Sequence, residues 1–184
     1  WSYIWRIRGD DGAVKDWNTH SPRLLLDKDD IRPGHYDFGV ASTGSTAEGG
    51  FTLYGTVEDT FEWRYGGTLH SISVSYEYSE FESASDNIIF QTRGSPEARI
   101  ERLTAPSDTV SQLESGLRSE YQRVNGADAP VDGQDYADFI LAFVQVCFDY
   151  ELDADLYGYE EYWAFPIETL YLRCGDCEDT AILC

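Results

Sequence analysis

Residues 59–78 read "DTFEWRYGGTLHSISVSYEY": two runs that alternate apolar and polar side chains on either side of Gly66-Gly67. A Gly-Gly dipeptide tolerates the positive φ angles of a two-residue turn, so the spacing predicts a β-hairpin. Trp63, Leu69, Ile72 and Val74 supply its apolar side chains, and His70 is expected as an exposed strand residue. An alternating hairpin has to lay one face on something apolar. The chain on either side of it therefore decides the fold class.

Upstream, residues 1–57 carry the short β-like runs "WSYIWRIRG", "HYDFGV" and "FTLYGTV", separated by Gly, Ser, Asp and Pro clusters such as "ASTGSTAEGG". This predicts a β-rich, loop-heavy region, with His20 and His35 assigned to its loops. Downstream, from "SPEARIERL" onward, the apolar period changes from two to three or four. "SDTVSQLESGLRSEYQRV" offers Ser107 and Asp108 as caps and sets Val110, Leu113, Leu117 and Tyr121 on one helical stripe. "DGQDYADFILAFVQVCF" does the same with Tyr136, Phe139, Ile140, Phe143, Val144 and Cys147. An acidic aromatic loop follows, and Pro166 opens the short helix "IETLYL". The expected fold class is α+β, in three parts. These are a β-rich region at 1–57, the hairpin with its connecting segment at 58–106, and a helical lobe at 107–184.

With 42% hydrophobic and 15% aromatic residues spread over 184 positions, the chain can bury a core. Its formal net charge is −21, from 34 acids against 13 bases, and its only lysines are Lys15 and Lys28. Such a field repels a polyanion, which excludes nucleic acid as a partner. An acidic, lysine-poor surface suits a salt-rich environment, where self-repulsion is screened. No apolar run is long enough to span a bilayer, so no membrane segment is expected. The chain contains no Met and stops within the apolar run "TAILC". It is therefore expected to be a piece of a longer protein, whose compartment the sequence leaves open; an extracytoplasmic or membrane-anchored parent is one of the options.

The chemistry concentrates in "RCGDCEDTAILC", residues 173–184. Gly175 permits a sharp turn, Asp176 stands at an N-cap position, and Cys177 opens a helix whose first turn continues with Glu178 and Asp179. A thiol there is favoured as thiolate by the unpaired N–H groups, while the three carboxylates oppose ionisation. The remaining cysteines, Cys147 and Cys184, are expected as buried small hydrophobes.

Gly175, Asp176, Cys177, Glu178 and Asp179 match, position for position, the Gly-Asp-Cys-Glu-Asp motif of the transglutaminase-like cysteine peptidase superfamily, whose prokaryotic and archaeal members the chain resembles. The flanking "YEEYWAFPIETL" and "FVQVCFDYELD" resemble that family's preceding loop and helix, and "FEWRYGG" its upstream hairpin. The resemblance covers residues 134–183 and, less closely, 59–133. It implies the helical lobe of a papain-like core, incomplete at the C-terminus, with Cys177 as the nucleophile of a Cys-His-Asp triad acting on a protein or peptide substrate. Its own N–H would help form an oxyanion hole. Glu178, Asp179, Gly175 and Asp176 support the nucleophile turn, and Tyr162 and Trp163 line the cleft. The family's histidine and acid follow the cysteine, and His20, His35 and His70 all precede it. The fragment is accordingly expected to lack its base and to be inactive.

Other readings stay open. The fold can serve as a non-catalytic module that recognises a peptide or an envelope component. Cys174 and Cys177 form a C-x-x-C that suits a redox pair or, with Cys184 and Cys147, a zinc site, although no second tight pair exists. No cofactor or metal is required, while the resemblance implies that an acidic loop such as "DLYGYEEY" can bind calcium weakly, as in some members of that superfamily.

The charge itself generates a prediction. Raising sodium chloride from 0.1 to 1 M shrinks the Debye length from about 10 to about 3 Å, so the thermal midpoint should climb. Sulfate at matched ionic strength separates screening from the exclusion of strongly hydrated salts. A flat or falling midpoint in sodium chloride rules out salt adaptation.

Overall fold

The computed structural model describes residues 2–26, 30–86 and 95–184. Trp1, Lys28 and residues 87–94 of the segment after the hairpin lie outside them. The chain is α+β, strands first and helices after, and divides into two compact units. One is Trp1–Val57 with Glu77–Ser79, the other Glu58–Tyr76 with Glu80–Cys184.

The first unit is an antiparallel sheet of β1 (Tyr3–Gly9), β2 (Val14–Thr19), β3 (Gly34–Ser42) and β4 (Ser45–Leu53), in the order β2-β1-β3-β4. Ile7 and Tyr36 are the buried apolar side chains of these four strands, and Val57 and Tyr78 are also buried within the unit. Two expectations fail here. "ASTGSTAEGG" is not a separating loop: it contains a turn at Thr43-Gly44, with Gly44 at φ 85°, and most of β4. Gly49 sits opposite Phe38, and a Cβ there would come within 2.7 Å of the ring, so glycine makes room for an aromatic across the ladder. His35 is likewise no loop residue but lies on β3, its Nδ1 3.0 Å from the Thr52 hydroxyl of β4. β2 escapes the pattern because "VKDWNT" has no buried face, and its side chains reach β1 through polar pairs, Arg6 with Asp16 at 2.8 Å and Trp5 with Thr19 at 3.1 Å.

In the second unit the hairpin of β5 (Thr56–Tyr65) and β6 (Thr68–Glu77) closes through Gly66 and Gly67, both at positive φ. Its buried face carries Phe61 and Trp63 on one strand and His70, Ile72, Val74 and Tyr76 on the other, while Leu69 points to solvent. After α1 (Tyr78–Ser85) and α2 (Pro96–Leu103) come the two long helices. Ser107 caps α3 (Asp108–Asn125), accepting the Val110 N–H at 3.1 Å, and Leu113, Leu117 and Tyr121 form its buried stripe. α4 (Gln134–Cys147) buries Tyr136, Phe139, Phe143 and Val144. Trp63 meets Phe139 and Phe143 at ring separations of 5.2 and 5.1 Å. Each such buried ring contributes about 2–3 kcal/mol of transfer free energy. No helix among the described residues is long and apolar enough to cross a membrane.

His70 corrects the expectation of an exposed residue. The period of two that buries Ile72 and Val74 also buries residue 70, which is 2% exposed. A buried imidazole needs a partner. Its Nδ1 lies 2.9 Å from Glu120 Oε1 on α3, and its ring stacks on Trp63 at 5.4 Å. Arg123 donates two hydrogen bonds of 2.6 Å to the same carboxylate.

Arg123 first, then His70, holds the Glu120 carboxyl below its ordinary range, against the opposing effect of burial. A carboxyl depressed in the folded state adds stability above its unfolded pKa of about 4.3 and loses it as pH falls through the folded value. Glu120→Ala should cost about 2–4 kcal/mol at pH 7 by stranding His70 against an apolar wall. In urea titrations the gap between the native protein and Glu120→Gln should close as pH drops from 6 to 3. A gap constant with pH would show that the carboxylate charge contributes nothing.

Candidate functional site

The segment that carries Cys177 is built from short elements around one corner of α4. Phe148 ends that helix, stacked on Phe61 at 5.5 Å. The chain then runs through β7 (Asp149–Tyr150), α5 (Asp153–Leu156), the aromatic loop, α6 (Pro166–Leu172), β8 (Cys174–Gly175) and α7 (Cys177–Leu183). β7 and β8 pair in parallel, Asp149 opposite Cys174 and Tyr150 opposite Gly175. The motif is thus entered from a short strand that follows directly on α6. Two residues are too few to show a period.

Arg173 sets the angle of that entry. It ends α6 in the left-handed conformation, φ 57° and ψ 27°, a position usually filled by Gly or Asn. A non-glycine residue there costs roughly 1 kcal/mol, and its side chain supplies the compensation. The guanidinium donates to Asp59 Oδ1 at 2.8 Å and to the Thr60 carbonyl at 3.2 Å, and lies 4.6 Å from the centre of the Phe61 ring. Asp59 is 5% exposed and also accepts the Tyr76 hydroxyl. The Arg173 carbonyl accepts the Asp149 N–H at 2.9 Å, beginning the β7–β8 pairing.

Gly175 is required by contact. A Cβ on it would fall 2.9 Å from both Cβ and Oδ2 of Asp179. Asp176, extended at φ −95°, occupies the N-cap position of α7, but its side chain makes no capping hydrogen bond. Its carbonyl accepts the Thr180 N–H at 3.2 Å, the first intrahelical bond, and the Thr180 hydroxyl at 2.9 Å. Cys177 follows at the first helical position and is exposed. Its thiol donates to Glu178 Oε2 at 3.0 Å, and this bond to an anion pushes the thiol pKa up.

Beneath the turn lie acids that accept backbone N–H groups from the aromatic loop. Asp153 takes Tyr162 N–H at 2.6 Å, Asp179 takes Ala164 N–H at 2.7 Å, and Glu168 takes Phe165 N–H at 2.8 Å together with the Tyr162 hydroxyl at 2.8 Å. Burial pushes all three carboxyls up, Asp179 to about 7, and raises Asp176 to about 6. Tyr162 is 3% exposed and stacked on Tyr157 at 4.1 Å, so it serves as packing. Trp163 is half-buried, with the Arg99 guanidinium 4.4 Å from its ring centre.

All four cysteines are free thiols. Burial pushes Cys147 and Cys174 up to about 11. Cys147 is half-buried, its thiol 3.7 Å from the Glu62 carbonyl, and Cys184 is exposed, against the expectation of burial for both. Cys184 ends α7 one residue past the buried Leu183, off its apolar stripe. Close groups of three ligating side chains do occur among the described residues: Asp176, Cys177 and Glu178; Asp153, Asp176 and Asp179; Asp153, Glu161 and Glu178. None contains two cysteines.

Sequence reasoning reached Gly175 through Asp179 but passed over Asp153, Glu168, Asp59 and Arg173. Glu168 was within reach, since an acid at the third helical position after a proline start is a capping signal. Asp59 and Arg173 are 114 residues apart, and nothing local joins them. No family model, curated protein or solved structure matches this chain.

Arg173→Ala should destabilise the protein by about 2–3 kcal/mol, because it leaves Asp59 buried without its cation. Gly175→Ala should cost about 1–3 kcal/mol through the clash with Asp179. Denaturant titrations check both, and a loss under 0.5 kcal/mol at either position would show that the turn is not held as described.

Proposed function

We propose that Cys177 is the nucleophile of a transglutaminase-like thiol acyl transferase, acting as a peptidase or amidase on a protein or peptide. The observation that carries this reading is an exposed thiol at the start of a helix, on a turn held by a left-handed Arg173, a glycine packed on Asp179 and a layer of buried acids. A side chain that reacts must be both accessible and fixed, and the other three cysteines have no comparable framework.

In this mechanism the Cys177 thiolate attacks an amide carbonyl. The S–C bond forms, the C–N bond breaks, and the amine leaves with a proton supplied by a general acid. Water or a second amine then cleaves the thioester. The Cys177 N–H, at the first helical position and so without an intrahelical acceptor, would stabilise the developing oxyanion. The acid-base partner is the weak point. His70 is the one histidine in the same unit, and its Nδ1 is committed to Glu120. Without a base, turnover falls by roughly two to four orders of magnitude.

The rival is a non-catalytic binding module, and the Cys177–Glu178 hydrogen bond favours it, because that bond holds the thiol protonated. Limited alkylation with iodoacetamide, read by peptide mass spectrometry, tests the nucleophile. Cys177 should be modified before Cys147 and Cys174. Glu178→Gln should speed its alkylation by about 3- to 10-fold at pH 8 and leave Cys184 unchanged, because removing an adjacent negative charge lowers a thiol pKa. Casein hydrolysis and fluorescent-amine incorporation, with added imidazole as base and Cys177→Ala as control, separate the two functions. If neither activity depends on Cys177 and it reacts no faster than Cys184, the module is the correct reading.

A further inference from the structure

The four-stranded sheet of the first unit has two faces of opposite character. Its registers set Trp5, Trp17, Phe38, Val40, Ala47 and Phe51 on one of them. Ring separations of 6.1 Å for Trp5–Phe38 and 6.5 Å for Phe38–Phe51 follow that face across the sheet. The same registers place no acid on it, although the chain has 34. Asp16, Asp37 and Glu48 stand on the opposite face, with Arg6 and Arg8. An antiparallel sheet with one apolar face has that face to bury. Ile7 and Tyr36 are its buried side chains, whereas Trp5, Trp17, Phe38, Val40 and Phe51 are half-exposed and Ala47 is exposed. A contiguous, half-exposed aromatic surface of this kind marks a docking face.

We propose that this face docks on the same face of a second copy, giving a two-fold, sheet-on-sheet dimer. Charge selects the partner. Each copy carries −21, so two copies repel wherever carboxylates meet, and this face brings none of its own against the other. Shape agrees. Trp17, Trp5, Val40 and Ala47 lie in one row across the four strands, bulky at the β2 end and small at the β4 end. A two-fold axis running along the strands, between the two sheets, sets Trp17 of each copy over Ala47 of the other. A saccharide would instead need hydrogen-bonding groups beside the rings. The polar side chains flanking Trp17 on this face are already spent. Lys15 donates to the Asp30 carbonyl, and the Thr19 hydroxyl accepts Trp5 Nε1 at 3.1 Å and donates to the Ser21 carbonyl at 2.7 Å. At about 4.8 Å between strands and 3.4 Å per residue, the face covers roughly 400–450 Å², small for a specific complex, so the dimer is a weak one. It uses the first unit alone and holds whether or not Cys177 reacts.

Sedimentation equilibrium of the full chain, from micromolar to submillimolar concentration in 0.1 and 1 M sodium chloride, tests this. The expected result is a monomer–dimer equilibrium with a micromolar dissociation constant, tightened about three- to tenfold at the higher salt as repulsion between copies is screened. Trp17→Asp and Ala47→Asp each put a carboxylate on the face at a position outside the buried core. Both should keep the fold, checked by circular dichroism, and each should weaken the dimer by about tenfold or more. Ile4→Asp adds the same charge at an exposed position on the opposite face, and should leave the dissociation constant unchanged. A chain that stays monomeric throughout overturns the proposal, and a shift of its tryptophan fluorescence with a neutral hexasaccharide would then give the face to a saccharide. A dimer that persists in the folded Trp17→Asp and Ala47→Asp variants overturns it as well, because association would use another surface. So does equal weakening by Ile4→Asp, which would reduce the effect to net charge.

Discussion

Much of the second unit's C-terminal half depends on buried carboxylates accepting backbone N–H groups. A loop that crosses a core cannot use water for its N–H donors, and an extended segment with no neighbouring strand has no carbonyl ladder to offer. Asp153, Asp179 and Glu168 supply the acceptors for residues 162, 164 and 165. Charged acceptors make shorter and stronger bonds than carbonyls do, so few suffice to fix the loop. The cost is desolvation, visible in the upward displacement of all three carboxyls. Because Asp179 lies on α7 and Ala164 in the loop, the same bond that orders the loop also sets where α7 begins.

Arg173 answers a different constraint. A helix followed at once by a short parallel strand must reverse its backbone within one residue, and a left-handed residue does that most economically. Glycine would do so at no steric cost, but it would bring no side chain to Asp59. Arginine accepts the local strain and places a guanidinium between a buried acid, a strand carbonyl and an aromatic ring. The strained residue is thus stabilised from the far end of its side chain, by the hairpin, and this contact joins the first strand of the unit to the approach to Cys177.

Legibility in the sequence followed the range of the interaction. The hairpin turn, the Ser107 cap, the stripes of α3 and α4, the Pro166 start and the position of Cys177 at the opening of α7 were all readable. Each depends on residues a few positions apart, where turn chemistry and period act directly. β2 and the first half of β4 were not readable, since neither buries a side chain and neither shows an alternation of apolar and polar residues. His70 was misjudged by type: histidine is usually exposed, but its position on the alternating face outweighed its polarity once Glu120 and Arg123 were within reach. Asp153 could not be distinguished from the other acids of so acidic a chain. Composition says how many carboxylates there are, while only packing says which have lost their water.

That distinction governs the electrostatics around Cys177. In a solvated acidic surface each carboxylate is screened within about 10 Å at 0.1 M salt, and its effect on a thiol is small. Glu178 acts otherwise because it accepts the thiol proton directly, and Asp176 because burial keeps solvent from screening it. Both stabilise the protonated thiol. The framework that makes Cys177 accessible and fixed therefore also favours its protonated form. For the proposed nucleophile, thiolate would form once a base takes the proton from sulfur or a positive charge offsets Glu178 and Asp176.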